Sequence, residues 1–209
     1  RPEAAGGRPL HQLAPLEVLR ARDLPYVSEA LSAGSEDPLA RKIPFLAERG
    51  AVDLASLDLG GRVVGASDPS TSSPNRMLSP GAPADHRDGW MTRRRREPGH
   101  EWAIVRLAGR GSLERIEVDT RRFPGDAPAE VEVLAIDHEG VPAFGDPGWR
   151  PLVERTEVRA DAVERFEAAD PAPATHLRLD LHPDGAVGRF RAIGSVTGED
   201  EEPAGPVAE

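Results

Sequence analysis

Hydrophobic and polar positions alternate in short stretches from about residue 51 onward. Leu177, Leu179 and Leu181 alternate with His176, Arg178 and Asp180. Val131, Val133 and Ala135 share one side of the stretch 130–136. Trp102, Ile104 and Arg106 oppose Ala103, Val105 and Leu107. A period of two is that of a β-strand with one face buried. The pattern predicts strands at 62–67, 102–107, 113–118, 130–136, 150–153, 163–168, 176–181 and 188–193. Gly109 and Gly111 read as a short turn between the second and third. Strands that recur this closely, with no helical periodicity between them, predict an all-β antiparallel sandwich.

The ends of the chain read differently. Residues 1–9 are rich in Gly and Pro. Leu16, Leu19, Leu24, Val27 and Leu31 keep a weak helical spacing, and Pro38 can open a second short helix that Gly50 ends. Residues 1–50 are therefore expected to be an N-terminal extension, partly helical or disordered, and 51–197 the sandwich. The acidic, apolar-poor stretch 198–209 is expected to be a disordered tail. Residues 68–87, with repeated Pro, Gly and Ser, predict a long loop of the kind that carries function or disorder.

Composition narrows the chemistry. The formal net charge is -10, which argues against a nucleic-acid binder, since that affinity comes from neutralising phosphates. Lys42 is the only lysine, so the cationic groups are almost all guanidinium forks, suited to bidentate contact with carboxylates. Absence of cysteine excludes disulfides, thiolate metal sites and a cysteine nucleophile. No apolar run approaches the ~20 residues of a membrane span, no signal peptide is visible, and a cytoplasmic location is the expectation. The start at Arg1 rather than Met reads as a processed or fragment end.

Candidate chemistry gathers between Asp88 and Phe123. Arg93–Arg96 form a run of four arginines bracketed by Trp90 and Trp102. In an extended segment adjacent side chains point to opposite faces, so at least one of the four turns inward. An arginine stacked on an indole would leave its fork free for a carboxylate or ureido oxygen. His100, in a Pro-Gly-His turn, is either a structural histidine or a general base or metal ligand. Asp119 either caps the turn before Phe123-Pro124-Gly125 or orients His100 or a metal. In His182-Pro183-Asp184-Gly185, Asp184 is turn chemistry, and His182 sits at the mouth of that turn. The inventory suits an anionic, nitrogen-rich small molecule. A divalent metal, of unknown identity, with His100 and Asp119 as its candidate ligands, stays open.

The stretch Asp88-Gly89-Trp90-x-Thr92-Arg93-Arg94-Arg95-Arg96-x-Pro98-Gly99-His100-x-Trp102-Ala103-Ile104-Val105-Arg106-Leu107 resembles the signature of the allantoicase family. Asn75-Arg76-Met77-Leu78-Ser79-Pro80-Gly81, Val118-Asp119-Thr120-x-x-Phe123-x-Gly125-Asp126-x-Pro128 and Thr175-His176-Leu177-Arg178-Leu179 with His182-Pro183-Asp184-Gly185 resemble further family motifs, in the family's order. The resemblance implies a galactose-binding-like jelly roll. It also implies hydrolysis of allantoate to ureidoglycolate and urea in purine degradation. Under it, His100 and Asp119 would be catalytic, handling water or a metal. Arg93, Arg94, Trp90, Thr120 and His182 would bind allantoate. A homo-oligomer is compatible with this; nucleic-acid and membrane partners are not expected. Family members carry two tandem copies of the module, and this chain resembles the first. Where the family has Glu before its Thr, this chain has Met91, so a catalytically impaired jelly-roll module that binds a ligand or partner is the alternative expectation.

Overall fold

The computed structural model describes residues 50–197. The helical extension and acidic tail expected on either side lie outside the described residues. Ten strands follow in order: β1 (Val52–Asp53), β2 (Arg62–Ala66), β3 (Trp90–Met91), β4 (Glu101–Asp119), β5 (Glu130–Ile136), β6 (Arg150–Glu157), β7 (Val163–Glu167), β8 (Ala174–His182), β9 (Ala186–Val187) and β10 (Arg189–Val196). All pairings are antiparallel.

The alternation read from the sequence sets the register. Leu181, Leu179 and Leu177 of β8 face Val131, Val133 and Ala135 of β5 across one edge. Leu179 and Leu177 face Ala103 and Val105 of β4 across the other. All of these side chains are completely enclosed. Burying a large aliphatic side chain contributes ~1.5–3 kcal/mol, and a one-residue slip would turn the whole set to water.

β4 corrects one expectation. The stretches 102–107 and 113–118 are not two strands joined by a glycine turn but one continuous strand, Glu101–Asp119. Its first part, 101–106, lies between β2 and β8. Its second part, 111–119, lies between β7 and β10. The strand thus passes from one layer of the sandwich to the other, and the small residues at its middle permit the crossing. A Cβ on Gly111 would sit 2.6 Å from both Leu54 Cδ1 and the Ser195 carbonyl oxygen. The glycines mark close backbone approach rather than a reversal.

The crossing has a consequence for function. His100 precedes one end of β4 and Asp119 forms the other, so they belong to different layers.

Three connections are bonded together at one end of the first layer. Trp90 and Met91 pair with Val187 and Ala186, Thr92 N–H donates to the Gly185 carbonyl, and Ala186 N–H donates to that of Asp126. The outer face of the same layer presents His176, Arg178, Asp180 and His182 from β8. Beside them lie Glu132, Leu134 and Ile136 of β5 and Trp102, Ile104 and Arg106 of β4. The connection 137–149 lies against this half-apolar face: Phe144 stacks on Trp102 with centroids 5.0 Å apart, and its carbonyl accepts from Arg178 at 2.6 Å.

Candidate functional site

Asp68 organises the arginine segment. Its carboxylate is completely buried and accepts from Ser70 Oγ at 2.6 Å, Thr71 Oγ1 at 2.8 Å and Arg93 N–H at 2.8 Å. Its carbonyl accepts the Trp90 indole N–H at 3.0 Å. Burial alone would raise the Asp68 carboxyl pKa. The hydrogen bonds from Ser70, Arg93 and Thr71 overcome that and hold it far below the ordinary carboxylate range.

One member of the arginine run turns inward. Arg95 turns inward to bond Glu101 at 2.9 Å and the Pro98 carbonyl at 3.1 Å. Arg93 and Arg94 turn outward, with side chains 72% and 69% exposed. Arg94 bonds the Gly125 carbonyl at 2.8 Å and lies 3.8 Å from Asp184. Asp184 in turn accepts Arg95 N–H at 2.8 Å. Gly99 has φ +121°, and a Cβ there would meet the Arg95 guanidinium at 2.9 Å, so the Pro-Gly-His turn needs its glycine.

Beside this rim, on the outer face of the first layer, is a cluster of titratable groups. His100 Nε2 lies 3.1 Å from Asp180 Oδ2, and His182 Nε2 lies 3.8 Å from Glu132 Oε2. The two imidazole centroids are 4.5 Å apart. Both Nε2 atoms are buried, and neither has an aligned hydrogen-bond partner. Asp180 is completely buried and is gripped by Arg178 through Nε–Oδ1 (3.0 Å) and Nη2–Oδ2 (2.9 Å). Arg178 itself lies 4.4 Å from the Phe144 ring centre and 5.5 Å from that of Trp149. Burial, then the neighbouring His100, lowers the His182 pKa. Burial, then Asp180, raises that of Glu132. Groups pushed in opposite senses side by side are the usual material of acid–base chemistry.

The structure distributes the predicted residues unevenly. His100 and His182 are brought together. Arg93 and Arg94 sit on the neighbouring rim, exposed. Trp90 is completely enclosed with its indole N–H committed to Asp68. Thr120 is also enclosed, bonding the carbonyls of Arg159 at 2.7 Å and Ala162 at 3.2 Å. Asp119 shares no partner with His100. Its carboxylate accepts Arg121 N–H at 2.9 Å and the Arg121 guanidinium at 2.6 Å, which is the turn-capping arrangement. It lines a separate groove of about 440 Å³ on the second layer, with Asp53, Glu117, Arg165 and Arg191. Charges lining that groove are already matched: Arg121 with Asp119, Arg165 with Glu117, Arg191 with Asp53. The arginine stacked on aromatic rings is Arg178 rather than a member of the run. Sequence reasoning passed over Asp180, Glu132 and Arg178, because charged residues at alternate strand positions look like a solvated face. The signal was the apolar company they keep across the register, Trp102, Ile104, Leu134 and Ile136, which demands a cover.

A two-layer, wholly antiparallel sandwich of this topology is a jelly-roll module of the galactose-binding-like type. The same fold occurs in chitosan-binding module 1 of a chitosanase/glucanase from Paenibacillus sp. IK-5, with a TM-score of 0.50 at 12% identity over 68% of this chain and 99% of that one. Within that class, the family model described as the allantoicase repeat matches residues 52–197, and the chain belongs to this family. It is 42% identical over 157 residues to a probable allantoicase of Rhizobium meliloti (strain 1021), covering 69% of this chain and 45% of that protein. It is also similar to the crystal structure of allantoicase from Saccharomyces cerevisiae, with a TM-score of 0.67 and 29% identity over 79% of this chain and 55% of that one. The chain thus spans less than half the length of the curated relative. Among the described residues, no helix is long and apolar enough to cross a membrane.

Proposed function

We propose that this module hydrolyses allantoate to ureidoglycolate and urea, in the cytoplasm and as part of purine degradation, alone or as a homo-oligomer, with its chemistry at the His100–His182 cluster. One observation carries the placement: two unpartnered imidazole nitrogens beside two carboxylates, next to a rim of exposed arginines. Family membership supports the substrate.

Allantoate carries one carboxylate and two ureido groups on a central carbon. Arg93 and Arg94 hold the carboxylate, each able to offer a fork to solvent without unfolding a loop. His182, kept neutral by burial and by His100, takes a proton from water as the water oxygen bonds to the central carbon. The carbon–nitrogen bond to one ureido group breaks, and the departing nitrogen takes a proton from Glu132, whose raised pKa favours the protonated acid. Asp180, locked by Arg178, orients His100 against His182. Asp119, Thr120 and Trp90 act as supports: the first two fix the end of β4, and the third anchors the arginine segment.

Met91 in place of the family's Glu favours a second reading, a non-catalytic jelly roll that binds a ligand or partner through the same loops. Incubation of the purified chain with allantoate separates the two. Urea release supports the hydrolase; none, with and without added divalent cation, leaves only the binding module.

A further inference from the structure

The cluster poses an electrostatic problem that its neighbours do not solve. With Glu132 ionised, as a ligand must be, it and Asp180 bring two negative charges and Arg178 one positive charge, leaving one negative charge in excess. The Glu130–Arg155 pair beside His182 is internally matched and offers no relief. The Nε2 atoms of the two imidazoles, whose centroids are 4.5 Å apart, are buried without an aligned hydrogen-bond partner. What faces those nitrogens is carboxylate oxygen, which only accepts. Excess negative charge beside unpartnered imidazole nitrogens in a buried site suits a cation that both kinds of donor can ligate.

We propose that His100, His182, Glu132 and Asp180 form a binding site for one first-row divalent cation. Four geometric features point to it. One ligand atom from each of Glu132, Asp180 and His182 lies within 4.8 Å of the other two. Neighbouring ligands of a tetrahedral cation stand ~3.4 Å apart, so donors at the outer limit draw in by about 1.4 Å, within reach of side-chain rotation. The His182 side chain is 10% exposed, with its Nε2 unpartnered and 3.8 Å from Glu132. His100 Nε2, also unpartnered, approaches Asp180 from the other side at 3.1 Å. Arg178, bonded to both oxygens of Asp180, supplies the outer hydrogen bonding that orients a ligating carboxylate. Imidazole nitrogen with carboxylate oxygen selects Mn²⁺, Co²⁺ or Zn²⁺ over Ca²⁺ or Mg²⁺. The site differs from the His100–Asp119 pair expected from the sequence, whose members lie in separate layers.

With the cation bound, His182 Nε2 and Glu132 are its ligands and are no longer free for the proton transfers assigned above, so the cation site and that assignment are alternatives; occupancy is measured without substrate. Co²⁺ is titrated into the full chain and followed by visible absorption, and Zn²⁺ by calorimetry. In parallel, the histidine ring signals are followed by NMR. The expected result is one equivalent bound, shifts confined to the His100 and His182 rings, and at least ~10-fold weaker binding in both His182→Gln and Glu132→Gln. Glu132 is partly exposed, so its variant keeps the test decisive if His182→Gln fails to fold. No stoichiometric uptake at millimolar metal, or unchanged uptake by Glu132→Gln, overturns the proposal. Binding without urea release would uphold the cation site and sink the hydrolase reading; urea release with no cation bound would do the reverse.

Discussion

The imidazole rings of His100 and His182 meet with centroids 4.5 Å apart, although each belongs to a different turn. His100 leads into β4 and His182 closes β8, and the antiparallel register that pairs Glu101 with Leu181 brings the two turns side by side. Their contact is thus a product of the Leu177-Leu179-Leu181 face being buried in one register only. Hydrophobic pattern, not local sequence, assembles the cluster.

Arg94 is expected to act in binding rather than in chemistry. Among the described residues its exposed fork reaches only the Gly125 carbonyl, Asp126 and Asp184. Arg94→Ala should raise KM for allantoate by ~10-fold or more with little change in kcat, because a contact made equally in ground and transition states affects only KM. Steady-state urea release against allantoate concentration checks this.

Stability should depend on His176. This residue is 3% exposed, and burial, followed by His138 and Arg106, lowers its pKa to about 4. An unfolded imidazole takes its proton as pH falls through ~6.5, whereas the folded one resists until about 4. Stability is therefore complete above pH 6.5 and lost on descent toward pH 4, by about 3 kcal/mol. His182, shifted in the same direction, adds to the loss. Thermal melts across this window should show a shallower pH slope in His176→Gln than in the unaltered chain.

Asp68 should matter to the fold of the rim. Asp68→Ala frees Ser70, Thr71 and the Arg93 N–H at once. Loss of hydrogen bonds to a buried carboxylate should cost about 2–3 kcal/mol. It should also loosen the arginine segment, seen as faster amide exchange at Arg93 together with a lowered Tm.

Much of the sandwich was legible because its central strands keep an apolar face, Val131-Val133-Ala135 in β5 and Leu177-Leu179-Leu181 in β8. The 130–136 stretch and the leucine alternation of β8 appear where the period of two put them. β4 was not legible as one strand, since Gly109 and Gly111 serve a layer crossing as readily as a turn, and nothing local distinguishes them. For the site, His100 and His182 stood out because a histidine beside a turn attracts notice. Asp180 did not, because its role depends on Arg178 two residues earlier and on Phe144 and Trp149 folding over from a distant connection. Asp119 was drawn into the site by proximity along the chain, a proximity that the crossing of β4 removes.

Two substitutions compared side by side test the placement of the chemistry most directly: urea release from allantoate by His182→Asn and by Asp119→Asn, each against the unaltered chain. A base at His182 predicts a fall in kcat/KM of ~10²–10⁴-fold for His182→Asn and activity within a few-fold of normal for Asp119→Asn. Loss of activity in Asp119→Asn with His182→Asn unimpaired would contradict it, and would move the reaction to the groove on the second layer.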